Sequence, residues 1–219
     1  MDPRTCAVGV RSKIDESGNF LKFQGVTVVA SANSKVNHIL WQHLHDSLSS
    51  IPIVTNHFSL LPIESYHMTT MSVCSQKLLP DDQWVAFIDS ELDWFKKLQK
   101  RIVEYEFHPS VVLESIEACW TLRVILRLDE EQRGQVQDLA REFDLEFRLP
   151  ASFHVTLGYQ FAEPDAATQR ELKSCLDHVF EGYRGRRMHL GAPHLCYFRD
   201  MKQFTAWTAE RNPYSTHSS

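Results

Sequence analysis

LPASFHVT, residues 149–156, repeats LPIESYHMT, residues 61–69: Leu-Pro, a spacer of one or two residues, Ser, an aromatic, His, an apolar residue and Thr recur in the same order. With eleven His and eleven Thr, a bare His-x-Thr would arise by chance about half a time in a chain of 219 residues, so the shared flanks carry the weight. Both copies have the period of a strand, where alternate side chains point to opposite faces. His67 and Thr69 therefore share one face, with Tyr66 and Met68 on the other. In the second copy, which runs on as SFHVTLGYQ (152–160), His154, Thr156 and Gly158 share a face opposite Phe153, Val155 and Leu157. By this parity Gly158 leaves room for a ligand beside the polar face.

Working outward, each copy sits in a similar half of the chain. Residues 9–25 read as an irregular arm with a turn at 16–19, followed by a strand from Val26. Asn33 or Ser34 caps a helix whose apolar positions are Val36, Ile39, Leu40, Leu44 and Leu48. Strands are expected over 53–61 and 66–73, and one long helix from Pro80 to about Glu104, with Trp84, Phe87, Ile88, Phe95, Leu98 and Ile102 on its apolar side. WTLRVILRL (120–128) alternates as a strand, and Asp129 with Gln132 makes a capping box for a helix to Arg141. After the second copy come a helix over 164–181, a basic RGRR turn at 184–187, and short strands in MHLGA, HLCYF and QFTAW. Mixed helices and strands, with hairpins near the end, suit an α+β fold with antiparallel sheets.

A net charge of −5 argues against broad duplex-DNA binding, which needs a basic surface to neutralise many phosphates. Five cysteines, at 6, 74, 119, 175 and 196, are odd in number and include no CxxC, so neither a disulfide framework nor a zinc site is expected. This reads as a reducing intracellular compartment, taken as cytoplasmic with the nucleus left open. No window approaches the roughly 18 apolar residues of a membrane helix, and no leader segment is read at the N-terminus.

The paired histidines have a chemical logic. Moving a phosphoryl group between oxygens needs a base for the incoming oxygen and an acid for the leaving one, on opposite sides of phosphorus. Imidazole titrates near neutrality, so one ring can be neutral while the other is protonated, and no metal or cofactor is needed. Each Thr hydroxyl can donate to a nonbridging oxygen. With these motifs the sequence resembles the 2H phosphoesterase superfamily, marked by two H-x-[T/S] motifs. Beyond the motifs, GNFLKFQGVTVV, SYHMT, FHVTLGY and CYFRDMKQF are similar to a branch catalogued as a domain of unknown function. The resemblance implies a bilobal pseudo-twofold fold, with two antiparallel sheets lining a central groove and helices outside. It implies a single domain over 1–207 and catalytic roles for His67, Thr69, His154 and Thr156; the polar residues of 208–219 read by themselves as a disordered tail. The implied substrates are 2′,3′-cyclic phosphates, 2′,5′-linked oligonucleotides or cyclic dinucleotides. The partner is then a nucleotide, cyclic dinucleotide or single-stranded RNA end, bound by a monomer; the alternative is a binding module that holds such ends without turnover.

Other candidates carry less. Arg123 and Arg127, on the polar side of their strand, either line the concave side of a lobe and touch substrate or form salt bridges on a wet sheet face. His43 and His45 point in different directions on a helix and make a poor metal pair. Thr70 should face away from the groove. No GxSxG, Walker loop, GxGxxG or HExxH occurs.

Overall fold

The computed structural model describes residues 12–208 and 210–215. Cys6, residues 9–11 of the arm and residues 216–219 of the tail lie outside them. Among the described residues, nine strands run through one antiparallel sheet: β1 (Gly25–Ser31), β2 (Phe58–Leu60), β3 (His67–Ser75), β4 (Ser110–Ala118), β5 (Thr121–Leu128), β6 (His154–Gln160), β7 (Arg187–His189), β8 (Pro193–Phe198) and β9 (Thr205–Ala206). The helices are α1 (His38–Ser49), α2 (Pro52–Thr55), α3 (Asp81–Ser90), α4 (Leu92–Glu104), α5 (Glu130–Glu142) and α6 (Ala166–Phe180).

The strand order is β7-β4-β5-β6-β3-β1-β8-β9, with β2 on β6. It reads as a pseudo-twofold about the β6/β3 junction, with the two His-x-Thr strands central. The α+β, bilobal plan with helices outside is thus the one adopted, but the two expected sheets are one continuous sheet. The join is slight: β3 and β6 pair at Met68↔Val155, after which β2 takes the edge of β6 and β3 departs. That divergence opens the groove between the lobes.

Each lobe has its own apolar backing. Val26 and Val28 of β1, Met71 and Val73 of β3 and Leu195 of β8 pack against Trp84 and Ile88 of α3 and Phe95, Leu98 and Ile102 of α4. Val111, Leu113, Val124, Val155 and Leu157 pack against Trp41, Leu44 and Leu48 of α1 and Leu172, Leu176 and Phe180 of α6. Helix α5 serves both, with Val136 in the second cluster and Leu139 and Ala140 in the first. None of the described helices is long and apolar enough to cross a membrane.

Several local expectations change. The segment expected as a strand over 53–61 begins with a single helical turn, because Pro52 presets the first helical φ, and only Phe58–Leu60 pairs. Helix α1 starts at His38 with Asn37 before it; Val36 and Ile39 are 88% and 65% exposed, and Trp41, not the expected pair, fills the buried face. The Asn37 amide instead donates to the carbonyls of Ala32 and His189, a tertiary demand that moves the helix start. The helix expected over 80–104 breaks at Glu91 into α3 and α4, where no Gly or Pro gives warning. Asp129 caps α5 as expected, but the Gln132 side chain turns to Ser110 N–H and the His108 carbonyl rather than closing a capping box.

The tail expected to be disordered packs back on the fold over 212–215. Tyr214 is buried, its hydroxyl hydrogen-bonds the carbonyls of Gly25 (2.5 Å) and Phe198 (3.0 Å), and its ring stands edge-on to Trp84. Asn212 donates to the Val85 carbonyl and Asp89. A polar sequence without periodicity hides this, because the docking surface comes from β1, β8 and α3.

Candidate active site

His67 opens β3 and His154 opens β6, each preceded by a Leu-Pro pair; a short 3₁₀ turn (Ile63–Ser65) follows that pair in the first copy, and one (Glu146–Arg148) precedes it in the second. In both copies the ring Nδ1 donates to the backbone carbonyl two residues earlier: His67 to Ser65 at 2.6 Å and His154 to Ser152 at 2.9 Å. A carbonyl only accepts, so the neutral ring carries its proton on Nδ1 and leaves Nε2 to the cavity. The Ser65 hydroxyl in turn donates to the Pro62 carbonyl and ties down the turn that supplies the first of these acceptors.

His67, Thr69, His154 and Thr156 line one cavity of about 300 Å³. Antiparallel register about Met68↔Val155 runs position 67 alongside 156 and position 69 alongside 154, so each Thr accompanies the other strand's His as well as its own. Burial pushes the His67 imidazole down to about 4; the Ser65 carbonyl opposes this, and the charges of His154 and Lys13 add to it. His154 is also lowered, first by burial, against its Ser152 bond, and further by Arg123 and Lys13, with Glu117 opposing.

Gly158 does not join this face. The β5–β6 ladder pairs Thr156 with Arg123 and Gly158 with Leu122, making Leu157 an extra residue, a bulge that reverses the parity beyond it. Tyr159, opposite Thr121, lines the cavity instead. Gly158 is required for another reason: a Cβ there would sit 2.7 Å from the Ser59 carbonyl oxygen, blocking β2 from pairing with β6. The first copy bulges at the matching place. Thr69 pairs with Val29 and Met71 with Val28, so Thr70 is extra; it is buried and its hydroxyl donates to the Val28 carbonyl. Ser72 thereby reaches the cavity as the counterpart of Tyr159.

Neither arginine lines the cavity. Arg123 is opposite Thr156, near enough to bear on His154, but its guanidinium is held by Glu117 at 2.9 Å. Arg127 pairs with Glu114 at 2.8 Å. The salt-bridge alternative describes both. The RGRR turn is likewise engaged elsewhere, Arg184 with Asp177 and Arg187 with the Ser110 hydroxyl.

Tertiary structure adds residues that no motif signalled. Phe204, from the chain entering β9, lies against the His67 ring with centroids 4.0 Å apart, then Phe198 at 5.0 Å and Phe23 at 6.2 Å continue an aromatic wall. Gly25 has no side chain in the way: a Cβ would meet the Phe198 ring at 2.3 Å. Lys13 and Arg148 supply two cations, and among the described residues no carboxylate lines the cavity.

Residues 13–110 match the family model 2H-phosphodiest, described as Domain of unknown function (DUF1868). Over those residues, just under half of the chain, the sequence is similar to that family. The match includes the first His-x-Thr; the second lies beyond it and rests on the repeat and on the shared cavity. The chain is similar to Uncharacterized protein 127L of Invertebrate iridescent virus 6, 23% identical over 186 residues that span 76% of this chain and 79% of that one. In fold it resembles a solved structure, the conserved protein of unknown function ATU0111 from Agrobacterium tumefaciens str. C58. That likeness has a TM-score of 0.68 and 18% identity, over 90% of this chain and 89% of the other.

Proposed function

We propose that this chain is a metal-independent phosphodiesterase acting on a nucleotide or RNA phosphodiester, with His67 and His154 as general base and general acid. The observation that carries the reading is the symmetric presentation of the two rings. Each is pinned through Nδ1 to the backbone just before its own strand, leaving Nε2 of both for one cavity. A purely structural histidine needs no such twin.

Thr69 and Thr156 donate to the nonbridging oxygens as charge builds on them. Both imidazoles rest neutral at pH 7, since burial lowers both. The acid then takes its proton with the substrate, because an anionic phosphate beside the ring favours the imidazolium. His67, pushed to about 4 and in contact with Phe204, is the ring better suited to be the base, leaving His154 as the acid. On a 2′,3′-cyclic phosphate the nucleophile is water. On a 2′,5′ linkage the adjacent 3′-hydroxyl is tethered beside phosphorus, and internal attack leaves a 2′,3′-cyclic end and a free 5′-hydroxyl.

The test is a panel of 2′,3′-cyclic nucleotides, 2′,5′-oligoadenylate and 2′,3′-cyclic GMP-AMP, incubated in excess EDTA and oxygen-18 water. Label in a monophosphate product means water attacked; an unlabelled cyclic end means the ribose did. Loss of turnover on chelation, restored by a divalent ion, would overturn the metal-independent mechanism. Tight binding without any product would leave a binding module in its place.

A further inference from the structure

We propose that Lys13 is a substrate ligand of this cavity, its ammonium taking a nonbridging oxygen of the phosphate held between His67 and His154. This rests on the reading of the cavity as a phosphodiester site and adds a residue that neither His-x-Thr motif contains.

Lys13 is delivered by the arm, which is held in place by its own hairpin and by contacts with both lobes. Ile14 bridges Phe20, the Asp15–Gly18 turn closes the hairpin, and the Ser59 hydroxyl donates to the Gly18 carbonyl. The arm thus docks on the second lobe at β2 and then crosses to the first, where Phe23 N–H donates to the Arg199 carbonyl just before β1. Lys13 sits at that crossing. Its ammonium is 5.0 Å from the Phe23 ring centre and 5.4 Å from that of Tyr159, one ring from each side of the groove. Two aromatic faces orient a cation without neutralising it. The charge therefore stays available, and it bears on both histidines.

The surroundings explain why the ligand should be an anion. The groups that bear on the histidine pair are Lys13, Arg123, Glu117 and the rings themselves. Arg123 and Glu117 neutralise one another in a salt bridge, which leaves Lys13 as the net charge at the pair. Arg148 lies toward the other end of the cavity, where it bears on Cys74. In a chain of net charge −5, a cavity lined by two cations and, among the described residues, no carboxylate is built for negative charge.

The experiment compares wild type, Lys13→Met, which keeps the stem, and Lys13→Arg, which keeps the charge. A single charge-assisted hydrogen bond predicts a rise in KM of about 10- to 100-fold for Lys13→Met, with a smaller fall in kcat, and substantial recovery in Lys13→Arg. Inorganic phosphate, followed by NMR of the histidine ring protons, should bind wild type and bind Lys13→Met at least about 10-fold more weakly. In Lys13→Met both histidines should titrate at higher pH, because the neighbouring positive charge is gone; Arg148→Gln, which removes the cation at the other end, should move neither. Wild-type KM, phosphate affinity and histidine titration in Lys13→Met would overturn the role, as would absence of phosphate binding to wild type. If wild type turns over no phosphodiester but phosphate binding still depends on Lys13, the anion site stands and the catalytic reading falls. If turnover occurs and ignores Lys13, the reverse holds.

Discussion

Lowering the pH should destabilise this protein through His67 in a way that one substitution removes. The imidazole is ordinarily at 6.5 and is pushed to about 4 in the folded chain. Between those values the unfolded chain binds a proton that the folded chain refuses. Acid therefore favours unfolding, and the stability contributed by keeping the ring neutral is complete above 6.5 and lost as pH falls toward 4. One pH unit of separation corresponds to about 1.4 kcal/mol, so this residue accounts for roughly 3 kcal/mol across the window. His154 acts with the same sign. In the His67→Gln variant the titration is absent, so the difference in unfolding free energy between variant and wild type should shift by about 3 kcal/mol between pH 7 and pH 4 in the variant's favour. Urea unfolding at half-unit steps reads this directly, and NMR of the ring protons reads the titration itself. Parallel pH curves for the two proteins, or a His67 ring that titrates near 6.5, would refute the claim that burial holds the ring neutral.

Three further outcomes follow from the site and its supports. His67→Ala and His154→Ala should each lower turnover by roughly 100- to 10,000-fold while leaving the fold intact, and the double variant should lose far less than the product of the two; steady-state kinetics with circular dichroism checks this, and full activity in either single variant would contradict the mechanism. Deleting residues 208–219 should cost about 3 kcal/mol through loss of the buried Tyr214 ring, and Tyr214→Phe about 1 to 2 kcal/mol through its hydroxyl alone, both measured by urea unfolding. Gly158→Ala should destabilise by about 1 to 3 kcal/mol, because the added methyl meets the Ser59 carbonyl and must push β2 off β6; an unchanged midpoint would mean that β2 yields without cost.

The sequence by itself determined what depends on neighbours along the chain. Strand period two puts His67 with Thr69 and His154 with Thr156, the repeated Leu-Pro turn stands before both strands, and Asp129 caps its helix, since each of these is settled within a few residues. The mixed α+β character and the likeness of the two halves were legible for the same reason. Tertiary structure decided everything that depends on pairing. That β3 and β6 are neighbours in one sheet, and not members of two, is a contact between residues far apart in the chain. The bulges at Thr70 and Leu157 appear only when β3 and β6 must register with β1 and β5, and they exchange Gly158 for Tyr159 on the cavity face. Glu117 and Glu114 claim Arg123 and Arg127 across a strand pair that gives no sign of it locally. Lys13, Phe204 and Tyr214 come from segments with no period to read, and their positions are set by the surfaces they meet. A side chain's face follows from local geometry, whereas its partner follows from where the rest of the chain has gone.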